Sequence, residues 1–380
     1  MAIASTPRLG LILSGGGARA AYQVGVLGAI ADMLPAASPS PFPVICGTSA
    51  GAINAAAIAA GARNYQQAMR GLEQVWANMT ADQVYRTDIL AFVRSVLHWA
   101  FTTAAGGRAV TPRSALLDNT PLERLLRLVI NFQRIEEGIR DGQLHALSIT
   151  ASSYASGESV SFFDAAEGVA DWRRTRRQGR RSHIDVQHLL ASAAIPLLFP
   201  AERVGNSFYG DGAVRQLAPI SPALHLGASR VLVVGVSGNV SASHQREVAG
   251  YPSLAQVLGH VLNSVFIDTL EGDVERLERF NHIYSLLGKR EQSHLTLRHV
   301  DVLKVYPSEP IDEIAAEHIR ELPRTLRFFL HGSGATRSPG ASAVSYLLFQ
   351  PGFTRRLMAL GHQDAMARKE EIRAFLVADK

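Results

Sequence analysis

The run Gly47-Thr48-Ser49-Ala50-Gly51, with Gly15-Gly16-Gly17 about thirty residues upstream, constrains this chain more than any other feature. Each glycine-bearing run follows a short apolar stretch, Leu9 to Leu13 and Val44 to Cys46, and each opens a helix-like pattern. The first of these patterns runs from Ala18 to Met33, with Val24, Leu27 and Ile30 at helical spacing. The second is the alanine-rich Ala50 to Ala60. A strand–turn–helix unit that occurs twice predicts an α/β chain with a mostly parallel sheet. Both turns then lie at the carboxyl ends of strands, where open α/β sheets bind ligands.

The rest of the chain extends this pattern. The proline-rich Pro35 to Pro43 reads as a loop, and Asn64 to Asn78 as a helix. Pro121 opens a helix that runs through Ile130. Leu144 to Ala151 alternates as a strand, with Glu158 to Phe163 as its hairpin partner. Ala191 to Pro200 carries two prolines and cannot be regular throughout. Val204 to Val214 predicts a hairpin turning at Gly205-Asn206. Arg230 to Val236 is a nearly continuous apolar run, hence a central strand. Leu254 to Leu277 has helical periodicity, Val300 to Tyr306 reads as a last strand, and the chain is mainly helical from Ile311 to a charged helix at Asp364 to Phe375. The apolar, aromatic Ile89 to Phe101 packs in the core, caps an apolar pocket or touches a bilayer.

Composition narrows the function classes. With 47% hydrophobic and 19% charged residues, the 380-residue chain builds a sizeable core and is not disordered. A net charge of +5 is modest for nucleic-acid binding but suits peripheral contact with an anionic membrane. Six arginines between Arg173 and Arg181 form either a solvated loop or a docking patch for lipid phosphates. No charge occurs between Asp32 and Arg63, yet prolines and small polar residues divide that stretch into loop, strand and core helix rather than a membrane span. The start of the chain has no signal-peptide pattern. The lone Cys46 precludes an internal disulfide and fits a reducing, cytoplasmic setting. No metal-ligand spacing stands out, and no cofactor is expected.

The chemistry centres on Ser49. Gly-x-Ser-x-Gly at a strand-to-helix turn exposes a serine hydroxyl at a helix N-terminus, which favours developing negative charge. The upstream block Ser14-Gly15-Gly16-Gly17-Ala18-Arg19 fails as a dinucleotide fingerprint, because Ala20 holds its last glycine position. It fails as a phosphate-binding P-loop, because no Gly-Lys-Ser/Thr follows. An anion hole from the amides around Gly16, Gly17 and Ala18 fits better, a plain tight turn being the alternative. A hydroxyl nucleophile needs a base. None of the thirteen histidines lies in a marked motif, so a Ser…Asp…His order admits Ser49, Asp211 and either His225 or His244. Asp211 lies in Tyr209-Gly210-Asp211-Gly212-Ala213, which also reads as an ordinary turn.

Three blocks in this order, GGGARA, GTSAG and the DGA that follows ASAAIPLLFP, resemble the patatin-like phospholipase family over Gly15 to Ala213. The resemblance implies a three-layer fold, a mostly parallel central sheet flanked by helices, over a lipid acyl hydrolase domain at 8–310, with a helical C-terminal extension at 311–380. It implies a serine lipid acyl hydrolase of the phospholipase A or lysophospholipase type, acting through an acyl-enzyme on phospholipid or another fatty-acyl ester. Ser49 is then the nucleophile and Asp211 the general base, with no histidine. Gly15, Gly16, Gly17 and Ala18 form the oxyanion hole. Arg19 orients the loop or meets a lipid phosphate. Ala20 stands where the family commonly has glycine and is read as the start of the helix. An acyltransferase or thioesterase on the same dyad, and an idle lipid-binding scaffold, are the alternatives. Oligomeric state is open, a homodimer being one option.

Overall fold

The computed structural model of the chain describes residues 8–86, 115–237, 254–295, 298–323 and 341–377, together with 94, 97–98, 100–102, 104 and 327. The Ile89 to Phe101 segment falls largely outside these residues.

The first two strands are β1 (Arg8–Leu13) and β2 (Val44–Thr48). Both are short apolar runs, and they pair in parallel, Gly10 opposite Val44 through Leu13 opposite Gly47. Both are followed by helices, α1 (Ala21–Met33) and α2 (Ala50–Ala60). The α1 helix starts three residues later than the sequence predicts. A 3-10 turn at Gly17–Ala20 precedes it, because Gly17 takes a positive φ of 55° and the Arg19 N–H turns back to the Gly16 carbonyl. Ala20 is fully buried in this turn, so its methyl group is accommodated. The α3 helix (Tyr65–Ala77) is capped by Asn64, whose side chain accepts from the Gln67 N–H at 3.1 Å.

The remaining strands are β3 (Ala146–Ser153), β4 (Ser159–Ala165), β5 (Trp172–Arg174), β6 (Arg177–Arg181), β7 (Glu202–Val204), β8 (Ser207–Asp211), β9 (Ala228–Val234) and β10 (Asp301–Val305). They join β1 and β2 in one ten-stranded sheet of order β10-β9-β1-β2-β3-β4-β6-β5, with β8 also pairing β3 and β7 pairing β8. From β10 to β3 every pairing is parallel. The β3–β4 hairpin and the β7–β8 hairpin, which turns at Gly205-Asn206, are antiparallel as the turn signals predict. Around the sheet pack α4 (Thr120–Val129), α5 (Gln133–Arg140), α6 (Val186–Ser192), α7 (Leu254–Asn263), α8 (Thr269–Leu286) and α9 (Ile311–His318). The result is a three-layer α/β fold.

The arginine-rich stretch is a strand pair rather than a solvated loop. β6 runs parallel to β4, and β5 folds back on β6. Gly179 permits this, because Trp172 lies where its side chain would be. Arg181 donates to the carbonyls of Ala166 and Val169, and Arg173 pairs with Glu158 at 3.0 Å, so these two arginines tie down the sheet edge.

The uncharged stretch between Asp32 and Arg63 passes from a partly exposed loop at Pro35 to Pro43 into the interior. β2 is buried throughout, and α2 is buried along most of its length. No described helix is long and apolar enough to cross a membrane. The chain beyond 311 shares the main hydrophobic core through Val344, Tyr346, Leu348 and Phe353. Its helix α10 (Pro351–Ala367) lies against α1 at backbone contact: a side chain on Gly25 would meet the Met358 carbonyl, and one on Gly361 the Tyr22 carbonyl. Tyr22 also donates to Asp364 at 2.9 Å. Gly25→Val is expected to force this crossing apart and cost about 1–3 kcal/mol of unfolding free energy, the usual range for overpacking. Urea unfolding followed by circular dichroism measures it.

Candidate active site

The β3 strand has two edges, and their sharing creates the site. β4 occupies one edge from Ala146 to Ser152. β2 occupies the other as far as Thr48 opposite Thr150, where it leaves the sheet. β8 takes over that edge at the next residue, with Asp211 opposite Ala151. Ser49, one residue beyond the end of β2, therefore meets Asp211. Its Oγ donates to Asp211 Oδ2 at 2.6 Å.

Ser49 sits in the turn between β2 and α2 with φ 56° and ψ −129°, a region unfavourable for a residue with a side chain. The surroundings hold it there. Its N–H donates to Ser192 Oγ at 2.8 Å, and Ser192 in turn donates to the Thr150 carbonyl at 2.6 Å. The glycines on either side are required by close approach. A side chain on Gly51 would strike the carbonyls of Leu13 and Ser14, and one on Gly47 the backbone of Gly51 and Ala52.

Asp211 is completely buried. Its Oδ1 accepts from the Ala213 N–H at 3.0 Å, and its backbone is fixed by bonds to the Ala194 carbonyl and from Ser152 Oγ. Loss of hydration raises its pKa to about 7, and the hydrogen bonds from Ser49 and Ala213 limit the rise. Gly212 follows because a side chain there would collide with the Thr150 carbonyl. The asparagine-like role of an ordinary Asp-Gly turn is thus combined here with a bond to Ser49.

The glycine block borders the same site. A side chain on Gly15 would sit 3.0 Å from Ser49 Cβ and against the Phe266 ring. Gly17 and Ser49 line one cavity. Among the described residues, the N–H groups of Gly16 and Gly17 have no protein acceptor. Ala18 departs from expectation: its N–H donates to the Tyr346 carbonyl at 3.0 Å and is not free for an anion. Arg19 is held within the protein. Only 2% exposed, it donates to Ser345 Oγ at 2.7 Å and to Asp312 Oδ1 at 2.5 Å, under the Tyr346 ring. These contacts tie the glycine block to the chain beyond 311 and keep the guanidinium away from the surface. Asp312, Ser345 and Tyr346 are site-supporting residues that carry no sequence signal, since nothing local links them to Arg19.

His225 does not join Asp211. It stacks on Trp172 at 4.2 Å, and burial beside Arg174 and Arg177 lowers its pKa to about 4. His244 lies outside the described residues. Among the described residues, Glu136, Asp164 and His183 bring three potential ligand atoms within 4.8 Å of one another. Asp164 pairs with Leu147, four residues along β3 from the position opposite Asp211, so this cluster is remote from Ser49.

The cavity at Ser49 is almost wholly apolar, walled by Ile53, Trp76, Leu122, Leu126, Phe199 and Phe349 among others. A hydroxyl bonded to a buried carboxylate of raised pKa, two amides without an acceptor among the described residues and an apolar cavity are the parts that attack on the carbonyl of an apolar acyl group requires.

A family model described as Patatin-like phospholipase matches residues 11–224, more than half of the chain. Comparison with curated proteins returns no match. Among solved structures, VipD from Legionella pneumophila is similar over 96% of this chain and 67% of its own, at 12% identity and a TM-score of 0.36. Human GIVD cytosolic phospholipase A2, in complex with methyl γ-linolenyl fluorophosphonate, is similar over 98% of this chain at 12% identity and a TM-score of 0.42. ExoU from Pseudomonas aeruginosa, solved with SpcU, is similar over 97% at 15% identity and a TM-score of 0.29. The chain spans 59% of the human protein and 61% of the Pseudomonas one.

The raised pKa of Asp211 couples to stability. An unfolded aspartate titrates at about 3.9. Stability associated with the neutral carboxyl is therefore complete below that value, and it drains away as the pH rises to about 7. Asp211→Asn removes the titration. Its unfolding free energy is expected to exceed the parent's by roughly 1–4 kcal/mol at pH 8, with the gap closing toward pH 4. Urea unfolding at stepped pH reads both limits.

Proposed function

The chain belongs to the patatin-like phospholipase family, and on that premise we propose that it is a serine acyl hydrolase cleaving fatty-acyl esters of lipids through Ser49 and Asp211 alone. The reading rests above all on the 2.6 Å bond between Asp211 Oδ2 and the Oγ of Ser49, which lines an apolar cavity.

The steps follow from the geometry. The ester carbonyl lies against Ser49 with its acyl chain in the cavity. Ionised Asp211 takes the Ser49 proton as Oγ bonds to the carbonyl carbon, and the carbonyl electrons move onto oxygen. The N–H groups of Gly16 and Gly17, with Gly15 beside them, hold that oxyanion; one such donor is worth about 2.7–4 kcal/mol. The intermediate collapses, the bond to the leaving alcohol breaks, and the proton on Asp211 passes to the alcohol. Water then repeats the sequence on the acyl-serine, giving up its proton to Asp211, and the fatty acid is released. The same carboxylate serves both halves because its pKa lies near neutrality. Phospholipids and lysophospholipids fit a cavity that is apolar along the acyl path.

Hydrolysis of a chromogenic fatty-acyl ester tests this reading. The rate is expected to climb with pH through an ionisation near 7, since the base must be ionised. Ser49→Ala is expected to lower kcat by about a thousandfold or more while the far-ultraviolet circular dichroism is unchanged. Full activity in purified Ser49→Ala protein rejects the dyad, whereas an activity limb near 4 would mean that Asp211 titrates as an ordinary carboxylate.

A further inference from the structure

Three helices border the cavity that Ser49 lines. Ala50, Ile53 and Ala57 mark the stripe of α2 that borders the cavity, Trp76, Val75 and Leu72 that of α3, and Leu122, Leu126 and Val129 that of α4. A separate surface groove lies beyond their far ends, where the end of α2 and the start of α3 approach α5. Arg63, Gln67, Gly71 and Arg134 border it. Ala57, Leu72, Val75 and Val129 border both spaces. A single layer of side chains therefore separates the inner cavity from the outer groove.

We infer that Ala57, Leu72, Val75 and Val129 form the end wall of the acyl tunnel and set the longest chain it takes. The inference rests on the proposed hydrolysis, for which Ser49 marks the carbonyl end. Ala57 is eight residues along α2 from Ser49, about 12 Å at the helical rise, which matches an extended chain of about nine or ten carbons. A longer acyl group has to displace the wall. Space to receive its tail exists behind, in the outer groove that Gln67, Gly71 and Arg134 border. The wall is built of small and β-branched groups, so one substitution shortens the tunnel and another opens it. Each methylene that gains or loses an apolar site changes kcat/KM by roughly fourfold.

A ladder of p-nitrophenyl esters from butyrate to palmitate measures the limit. In the parent protein kcat/KM is expected to rise to about octanoate or decanoate and fall beyond. Ala57→Leu shortens the tunnel and should reduce the decanoate-to-butyrate ratio about tenfold. Val75→Ala opens it and should raise the palmitate-to-octanoate ratio about tenfold. Opposite shifts support the wall; a general loosening of the fold moves both variants the same way, and that result, or no shift in either, overturns it. A second ladder is independent of hydrolysis: free fatty acids displace a fluorescent polyene fatty acid from Ser49→Ala protein. A break in affinity near ten carbons that moves with the wall substitutions sustains the inference even if the parent cleaves no ester, whereas affinity that rises smoothly with length rejects it.

Discussion

The transfer of one β3 edge from β2 to β8 is the constraint on which the rest of the structure depends. β2 leaves the sheet after Thr48, and the neighbouring place on β3 is taken by the strand that ends at Asp211. Two side chains separated by 162 positions thereby fall within one hydrogen bond. Gly51 and Gly212 follow from the same crowding, because backbone carbonyls of Leu13, Ser14 and Thr150 occupy the space their side chains would need.

That junction holds two costly states. Ser49 has an unfavourable backbone conformation, and Asp211 is removed from water. Each is supported from outside the pair, by Ser192 on the Ser49 amide and by Ala213 and Ser152 on Asp211. The glycine block is held from further away. The Tyr346 carbonyl binds the Ala18 amide, and Asp312 and Ser345 bind Arg19, so chain beyond 311 fixes a loop that begins at Ser14. A motif of six residues at the start of the chain takes its final shape from residues more than 290 positions later.

Much of the frame is legible in the sequence where one local signal suffices. The runs before Gly15 and Gly47 make parallel strands, Gly205-Asn206 turns a hairpin, and the stretch from Asn64 to Asn78 makes a helix at Tyr65–Ala77. Ser49 and Asp211 are legible for the same reason, since short glycine-flanked motifs carry each. What escapes is set by distant partners. The arginines from 173 to 181 have no apolar alternation to betray strands; β6 forms because β4 offers an edge and Gly179 lies under Trp172. Ala18 looks like its glycine neighbours until Tyr346 claims its N–H. Phe266, which covers Gly15, comes from a π-helical segment at Ser264–Asp268 inside what the periodicity predicts as a continuous helix.

The central claim is that the reactivity of Ser49 depends on Asp211 and on no histidine. Labelling with an alkyl fluorophosphonate, followed by peptide mass spectrometry, tests it most directly, because the probe records which oxygen is nucleophilic. A single adduct on the peptide containing Ser49 is predicted for the parent protein, with the labelling rate reduced by orders of magnitude in folded Asp211→Asn protein. An adduct elsewhere, or equal labelling of Ser49 without the carboxylate, would contradict it.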